Sequence, residues 1–485
     1  MDKGMDYEGV IGLEVHAELV THSKMFCGCA VVMSDGEPPN SHVCPICTGM
    51  PGMLPVINRR AVEMTIMTGL ALNCTIEEFN IFARKNYFYP DLPKGYQISQ
   101  YDYPLCRNGW LEIETSQGTR KIGIRRVHLE EDTGKNIHQG DVSLIDFNRS
   151  GVPLMEIVSE PDLHTAEEVK AYGEKLRAIL RYLGVNTGDM EKGVIRFEPN
   201  ISIRPVGATE FGTRTELKNL NSFRALERGT AYELTRQAKV LNEGGKVVQE
   251  TRGWDEARNV TVPQRSKEEA EDYRYFPEPD LPPLIVERAW VDEIRAQLPE
   301  LPDAKYDRFV KAYGLSAEDA SVLVADRAVA DYFEATLKQA DGKNPKTVCN
   351  WLTGELFRYL NESQISIEQV KITPAQLAEL IGLVEAGTIN LNTGKRVLAE
   401  MFKSGQSAKA IVEAQGLAQI SDTTAIEAIV TKVLDANSAE VEKYLGGKET
   451  VLGFLVGQVM KESRGKANPA TVQETMKKQL AERKK

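Results

Sequence analysis

Four cysteines near the start of the chain, Cys27-Gly28-Cys29 and then Cys44-Pro45-Ile46-Cys47, constrain the fold more than any other feature. Two close pairs across a short loop suit one tetrahedral ion, because four thiolates have to converge on it. Structural Zn²⁺ takes this ligand set at about 2.3 Å per sulfur, so the spacing predicts a zinc ribbon or knuckle over 27–47. Gly28 and the Pro-Ile insert supply the tight turns such a site needs. The first pair is C-x-C where C-x₂-C is commoner, which leaves four ordinary buried or free thiols as the alternative. The cysteines directly follow Ile11-Gly-Leu-Glu-Val-His-Ala-Glu18, a strand-like run that carries metal-type side chains.

A chain of 485 residues is expected to hold roughly three domains. Hydrophobic content of 42% with 27% charged residues is that of a soluble globular protein. No stretch approaches the ~20 apolar residues of a membrane span, and the N-terminal residues lack a signal-peptide apolar core. Seven cysteines, four of them placed on metal, argue for a reducing cytoplasm and against a disulfide framework. The net charge of −11 argues against a protein that simply coats nucleic acid, but leaves room for a local basic patch.

The pattern changes near Pro277-Glu-Pro-Asp-Leu-Pro-Pro283. Before it, short alternating runs such as Leu111–Glu114, Lys121–Arg125 and Ile201–Ile203 read as strands of an antiparallel-rich sheet. Two helices interrupt them. One starts at Thr165 with Glu168 three residues on, a capping box, and runs to Gly184; the other starts near Ser222 and runs towards Gly244-Gly245. After the prolines helical spacing takes over, as in Thr373–Val384, and a polar stretch at Lys403–Ser407 marks a further division. The fold class is therefore α+β: an N-terminal antiparallel-rich β domain with helices, an all-α helical domain and a small all-α C-terminal domain.

Glu14 and His16 lie two apart in an apolar strand pattern, so both project from one face, as half of a divalent-cation site. The other half is sought in His128-Leu-Glu-Glu-Asp132 and in Glu156, a carboxylate among apolar neighbours that needs a partner. Arg149 or Arg125 offers an ion pair to Glu156 instead, and Glu130-Glu131 alone fit a solvated face. The run Arg84-Lys-Asn-Tyr-Phe-Tyr-Pro-Asp91 offers cations for a phosphate (Arg84, Lys85) beside aromatic surfaces for a base (Tyr87, Tyr89), although alternating aromatics also serve as core. Neither a G-x-x-x-x-G-K-[ST] loop nor a G-x-G-x-x-G fingerprint occurs, and no G-x-S-x-G elbow. Metal-assisted chemistry suits these residues better than a covalent nucleophile.

The run Leu144-Ile-Asp-Phe-Asn-Arg-Ser-Gly-Val-Pro-Leu-Met-Glu-Ile-Val-Ser-Glu-Pro161 resembles the signature of the B subunit of tRNA-dependent amidotransferases. Gly12–His16, Arg84–Asp91, Glu216–Ser222, Asp272–Pro279, Gly453–Gly457 and Gly465–Pro469 match the same family in order, so the resemblance spans essentially the whole chain. It implies a catalytic cradle domain over 1–290 that includes the zinc ribbon, a helical domain over 291–405, and a tRNA-binding tail domain over 406–485. It also implies a heterotrimer with an amidase-type A subunit and a small C subunit. The A subunit would release ammonia from glutamine. The B subunit would use ATP and Mg²⁺ to phosphorylate the side-chain carboxylate of Glu-tRNA(Gln) or Asp-tRNA(Asn) before ammonia displaces the phosphate. By motif, the family's magnesium ligands fall on Glu14, His16, Glu131 and Glu156, and structural zinc on Cys27, Cys29, Cys44 and Cys47. Lys85, Asn86 and Glu131 are the catalytic candidates; Arg84, Tyr87, Asn148 and Arg149 are candidates for nucleotide contact. Histidine is a less usual Mg²⁺ ligand, which leaves Mn²⁺ as a substitute.

From Leu452 to Lys485 eight Lys or Arg stand against three Glu, a local net of +5 that leaves −16 on the remainder. Such a patch suits a phosphate backbone, with Arg464, Lys466 and Asn468 as the tRNA contacts, while Lys484-Lys485 alone would be a solubilising end. Two other classes are weighed: a non-enzymatic zinc-ribbon tRNA-binding translation factor, and a self-contained ligase with its own ammonia source. The carboxylates beside His16 speak against the first, and the missing nucleophile against the second.

Overall fold

The computed structural model describes residues 6–32, 36–266, 273–418, 423–463, 467 and 469–483. The chain divides into two compact units, Met1–Pro302 and Asp303–Lys485. The first holds every described strand, and the second is helical among its described residues, which gives the α+β layout that the proline run announces.

In chain order the strands are β1 (Tyr7–Glu18), β2 (Thr75–Ile76), β3 (Phe79–Asn80), β4 (Ala83–Asn86), β5 (Tyr96–Ser99), β6 (Cys106–Thr115), β7 (Gly118–Glu131), β8 (Lys135–Gln139), β9 (Val142–Asp146), β10 (Pro153–Ser159), β11 (Ile195–Pro205), β12 (Thr215–Lys218), β13 (Glu250–Asp255), β14 (Val260–Ser266), β15 (Phe276–Pro277) and β16 (Leu284–Ile285). Nine of them form one sheet in the order β14-β13-β12-β11-β1-β10-β7-β6-β2. Among the described strands only β12 and β13 pair in parallel.

Helices α1 (Arg59–Ala71), α2 (Ala166–Tyr182) and α3 (Phe223–Asn242) pack on this sheet, and α4 (Arg288–Ala296) packs against α1 in the same core. β1 shows how: Leu13, Val15 and Ala17 enter the core with Ile66 of α1 and Leu176 of α2, so Glu14 and His16 must face the other way. Thr165 caps α2 with the expected box, its hydroxyl accepting from the Glu168 amide while Glu168 reaches back. Gly184 ends the helix with φ of +66°, a conformation that β-carbons penalise. Ser222 caps α3 with its hydroxyl alone, which accepts from the Ala225 amide at 3.0 Å.

The second unit contains two apolar clusters. Phe309, Phe333, Leu352, Leu380 and Leu398 centre the first, and Ile426, Val430, Leu455, Val459, Met476 and Leu480 the second. The boundaries expected at 290/291 and 405/406 would each separate a helix from its own core. Val291 and Ile294 of α4 are buried with the sheet unit, and Ala408, Ile411 and Val412 close the first helical cluster. No helix among the described residues is long and apolar enough to cross a membrane.

Candidate active site

The face of the large sheet opposite the core is where the charged residues gather. Strand register builds it in rows. Glu156 of β10 pairs with His16 of β1 on one side and His128 of β7 on the other, and Arg196 of β11 continues the row. His16 Nε2 lies 3.6 Å from Glu130 Oε1 and 3.9 Å from Glu156 Oε2, and His128 Nε2 is 3.1 Å from the same Glu156 oxygen. His16, Glu130 and Glu156 offer ligand atoms that all lie within 4.8 Å of one another. Glu14, Glu198 and Glu216 form a second such group beside them.

One acid in each group is held ionised against the cost of burial. Burial works against a charge on Glu156, but His128, His16 and Lys85 outweigh it and hold the carboxyl well below the usual carboxylate range. Glu198 is likewise desolvated, and His16 with Lys218 (3.0 Å away) brings it down to about 2. Hard carboxylate oxygens with one imidazole, held close together, are a donor set that fits Mg²⁺ or Mn²⁺.

The four cysteine sulfurs of 27–47 also lie within 4.8 Å of one another, which fits a tetrahedral zinc site. A shared hydrogen bond pushes Cys27 well up and, despite burial, holds Cys47 down at about 4. The ribbon is clamped to the turn between β9 and β10. Asn148 accepts from the His42 amide at 2.9 Å and donates to the Pro38 carbonyl at 2.8 Å, while Ser150 Oγ donates to the Cys47 carbonyl at 3.0 Å.

The residues singled out from sequence divide into two sets. Glu14, His16 and Glu156 come together on the polar face. Lys85 joins them: its ammonium lies 4.9 Å from the Tyr273 ring and 6.0 Å from that of Tyr87, in the field of Glu130 and Glu156. The others have different occupations. Glu131 projects with Val127 and Leu129 from the opposite side of β7, where its Oε1 takes Lys94 Nζ at 2.5 Å and the Ile98 amide at 3.0 Å; Glu130 has the position expected of it. Arg84 is committed to a bidentate pair with buried Glu278, at 2.6 and 2.7 Å. Asn86 donates to the carbonyls of Tyr273 (3.2 Å) and Arg274 (2.9 Å). Tyr87 meets Tyr273 edge to face. Asn148 holds the ribbon, and Arg149 donates to the carbonyls of Thr133 and Gly134. Arg464, Lys466 and Asn468 lie outside the described residues. Glu198 and Glu216 went unnoticed in the sequence, although Arg196, Glu198 and Asn200 alternate with buried Phe197 and Ile201.

A model of the GatB/GatE catalytic domain matches residues 9–292, and one of the GatB domain matches residues 331–480. The B subunit of the aspartyl/glutamyl-tRNA(Asn/Gln) amidotransferase of Thermodesulfovibrio yellowstonii is 54% identical over 479 residues, covering 99% of this chain and 100% of that protein. Proteins of the same description from Carboxydothermus hydrogenoformans and Myxococcus xanthus are each 53% identical, covering 98% of this chain and 99% of their own length. The chain belongs to the GatB family. Its catalytic-domain match takes in the ribbon, the whole polar face and α4 up to Asp292, in keeping with the burial of that helix on the sheet unit. The second GatB match contains both apolar clusters of the helical unit from Asp331 onwards.

Proposed function

We propose that this GatB chain activates a tRNA-borne side-chain carboxylate with ATP for amide formation, on Asp-tRNA(Asn), Glu-tRNA(Gln) or both. One observation carries the reading: His16, Glu130 and Glu156 converge on one sheet face with Glu14, Glu198 and Glu216 beside them. An unactivated carboxylate resists ammonia because oxide is a poor leaving group. A carboxylate oxygen attacks the γ-phosphorus, ADP departs, and the acyl phosphate then loses phosphate to ammonia to give the amide. A proton lost from the attacking nitrogen passes to a carboxylate of this face. Two anions have to meet for the first step; a divalent cation held by these acids would neutralise the phosphate oxygens. Lys85 adds a positive charge at the same place, and the tyrosines around it keep water away from an intermediate that water would destroy.

Ammonia comes from an amidase-type A subunit, which with a small C subunit completes the assembly. Zinc in the cysteine ribbon is structural: it fixes the turn that carries Asn148 and Arg149. The basic tail binds the tRNA body. The test is to supply misacylated tRNA and labelled ATP to the chain with and without its partners. Phosphorylated acyl-tRNA and amide in the complete assembly support the reading. Tight tRNA binding with no ATP cleavage in that assembly would leave only a binding factor.

A further inference from the structure

Arg126 is a charged residue of the polar face whose guanidinium is not taken up by a carboxylate among the described residues. Val127 and Leu129 enter the core, so Arg126, His128 and Glu130 share the outer side of β7. Among the described residues Arg126 makes no ion pair, and its buried Nε has no hydrogen-bond partner. Its neighbours are otherwise matched: Glu156 with His128, Glu198 with Lys218, Glu14 with Asn200 at 3.2 Å. Its guanidinium lies 5.6 Å from the ring centre of Tyr101, which stacks on Tyr275 at 4.3 Å and 11°.

Register shows what stands between Arg126 and the acids. Arg126 pairs with Val158, and Val158 pairs with Glu14. Two strand spacings of about 4.8 Å therefore separate Arg126 from Glu14, with the short, half-buried side chain of Val158 between them. Side chains reaching over Val158 from the two flanking strands, the guanidinium from β7 and the carboxylate from β1, would leave room between them for a small tetrahedral or planar oxyanion. A guanidinium is the group suited to grip either shape with two parallel hydrogen bonds.

We infer that Arg126, over Val158, is an oxyanion subsite that holds the reacting phosphoryl or carboxylate group against the acidic cluster, with Tyr101 and Tyr275 as its wall. The inference rests on the function proposed above. It adds a substrate-touching residue beyond those that the family motifs mark. Two sources fit the same chemistry: the terminal phosphoryl of a nucleotide, and the acyl carboxylate on tRNA.

The test uses the assembled complex with Arg126→Gln, Arg126→Lys and, as a control, Arg125→Gln; Arg125 is exposed and pairs with Glu160 at 2.7 Å. Calorimetry with Mg-ADP, the kcat/KM for ATP and for aminoacyl-tRNA, Mn²⁺ binding and thermal unfolding are measured on each. At least a tenfold loss of ADP affinity in Arg126→Gln, partly restored in Arg126→Lys, assigns the phosphoryl. Unchanged ADP affinity with a tenfold fall in kcat/KM for aminoacyl-tRNA assigns the carboxylate. In both cases Mn²⁺ binding and unfolding stay as in wild type. Substrate constants within twofold of wild type in Arg126→Gln, or losses that merely follow a fall in thermal stability shared by Arg126→Lys, overturn the inference. A wild-type complex without tRNA-dependent ATP cleavage would instead defeat the proposed function, and Mg-ADP binding would still decide on Arg126.

Discussion

Replacing Arg84 with Ala separates a phosphate-binding role from the one its contacts describe. Arg84 donates through Nε and Nη2 to the two oxygens of Glu278, whose side chain is fully buried, and lies 4.2 Å from the Tyr96 ring. Removing one member of a buried pair strands the other, at a cost of about 3–5 kcal/mol. The unit concerned has roughly 300 residues, for which an unfolding entropy of about 2.1 cal/mol/K per residue converts that cost into a fall of about 5–8 °C. The joint change Arg84→Met with Glu278→Leu removes both charges and should recover most of the loss, since buried pairs exchange for apolar ones at little net cost. Thermal unfolding of the full chain, followed by tryptophan fluorescence, reads this out, with the KM for ATP measured alongside in the complex. Should Arg84→Ala unfold within 1–2 °C of wild type while the KM for ATP rises severalfold, the guanidinium binds nucleotide and the structural account of it is wrong.

The purified chain should contain about one zinc, and Cys44→Ser should lose it and melt at a lower temperature; metal analysis without zinc and with four freely titratable thiols would remove the ribbon. A truncation after Leu417, which spares the helix Ala408–Ala414 and its core, should weaken tRNA binding and flatten its salt dependence while leaving glutamine hydrolysis by the complex unchanged. An unaltered salt slope would transfer tRNA capture to the rest of the chain. Burial, with Asp132 next to it, pushes Glu18 from 4.5 up to about 8, so the folded chain keeps a proton that the unfolded chain releases. Wild type should therefore lose stability relative to Glu18→Gln as pH rises from about 4.5 through about 8, and parallel pH–stability curves would refute the retention of that proton by Glu18.

Local signals were the readable ones. The starts of the helices at Thr165 and Ser222, the helical spacing of Thr373–Val384 and the alternation of β1 depend on neighbours within a few residues, and all appear where the sequence places them. The choice between Glu130 and Glu131 was also legible: apolar Val127 and Leu129 fix the core phase of β7, which sends Glu131 towards Lys94 and leaves Glu130 for His16. Motif matching, which carries identity and not strand phase, pointed to Glu131, whose side chain lies on the other side of the strand with Lys94. The Arg84–Glu278 bridge spans 194 residues, and Glu198 and Glu216 reach Glu14 only through the pairing of β1, β11 and β12. Nothing in the local pattern announces such partners. Val291, Ile294 and Ile411 show the same limit for domain edges, since helical spacing does not say which core a helix will join.

The claim that the polar face of the sheet carries the activation step is tested most directly by comparing Glu130→Ala with Glu131→Ala in the assembled complex. Both remove one buried carboxylate from adjacent positions of β7, so they differ in face and in little else. The measurement is tRNA-dependent release of labelled phosphate from ATP, with glutamine hydrolysis as the internal control. Glu130→Ala should abolish release while glutamine hydrolysis persists. Glu131→Ala, which strands Lys94, should melt earlier but still cleave ATP. If Glu130→Ala cleaves ATP at the wild-type rate and Glu131→Ala does not, the site lies on the other side of the strand and the cation-holding role of His16, Glu130 and Glu156 is lost.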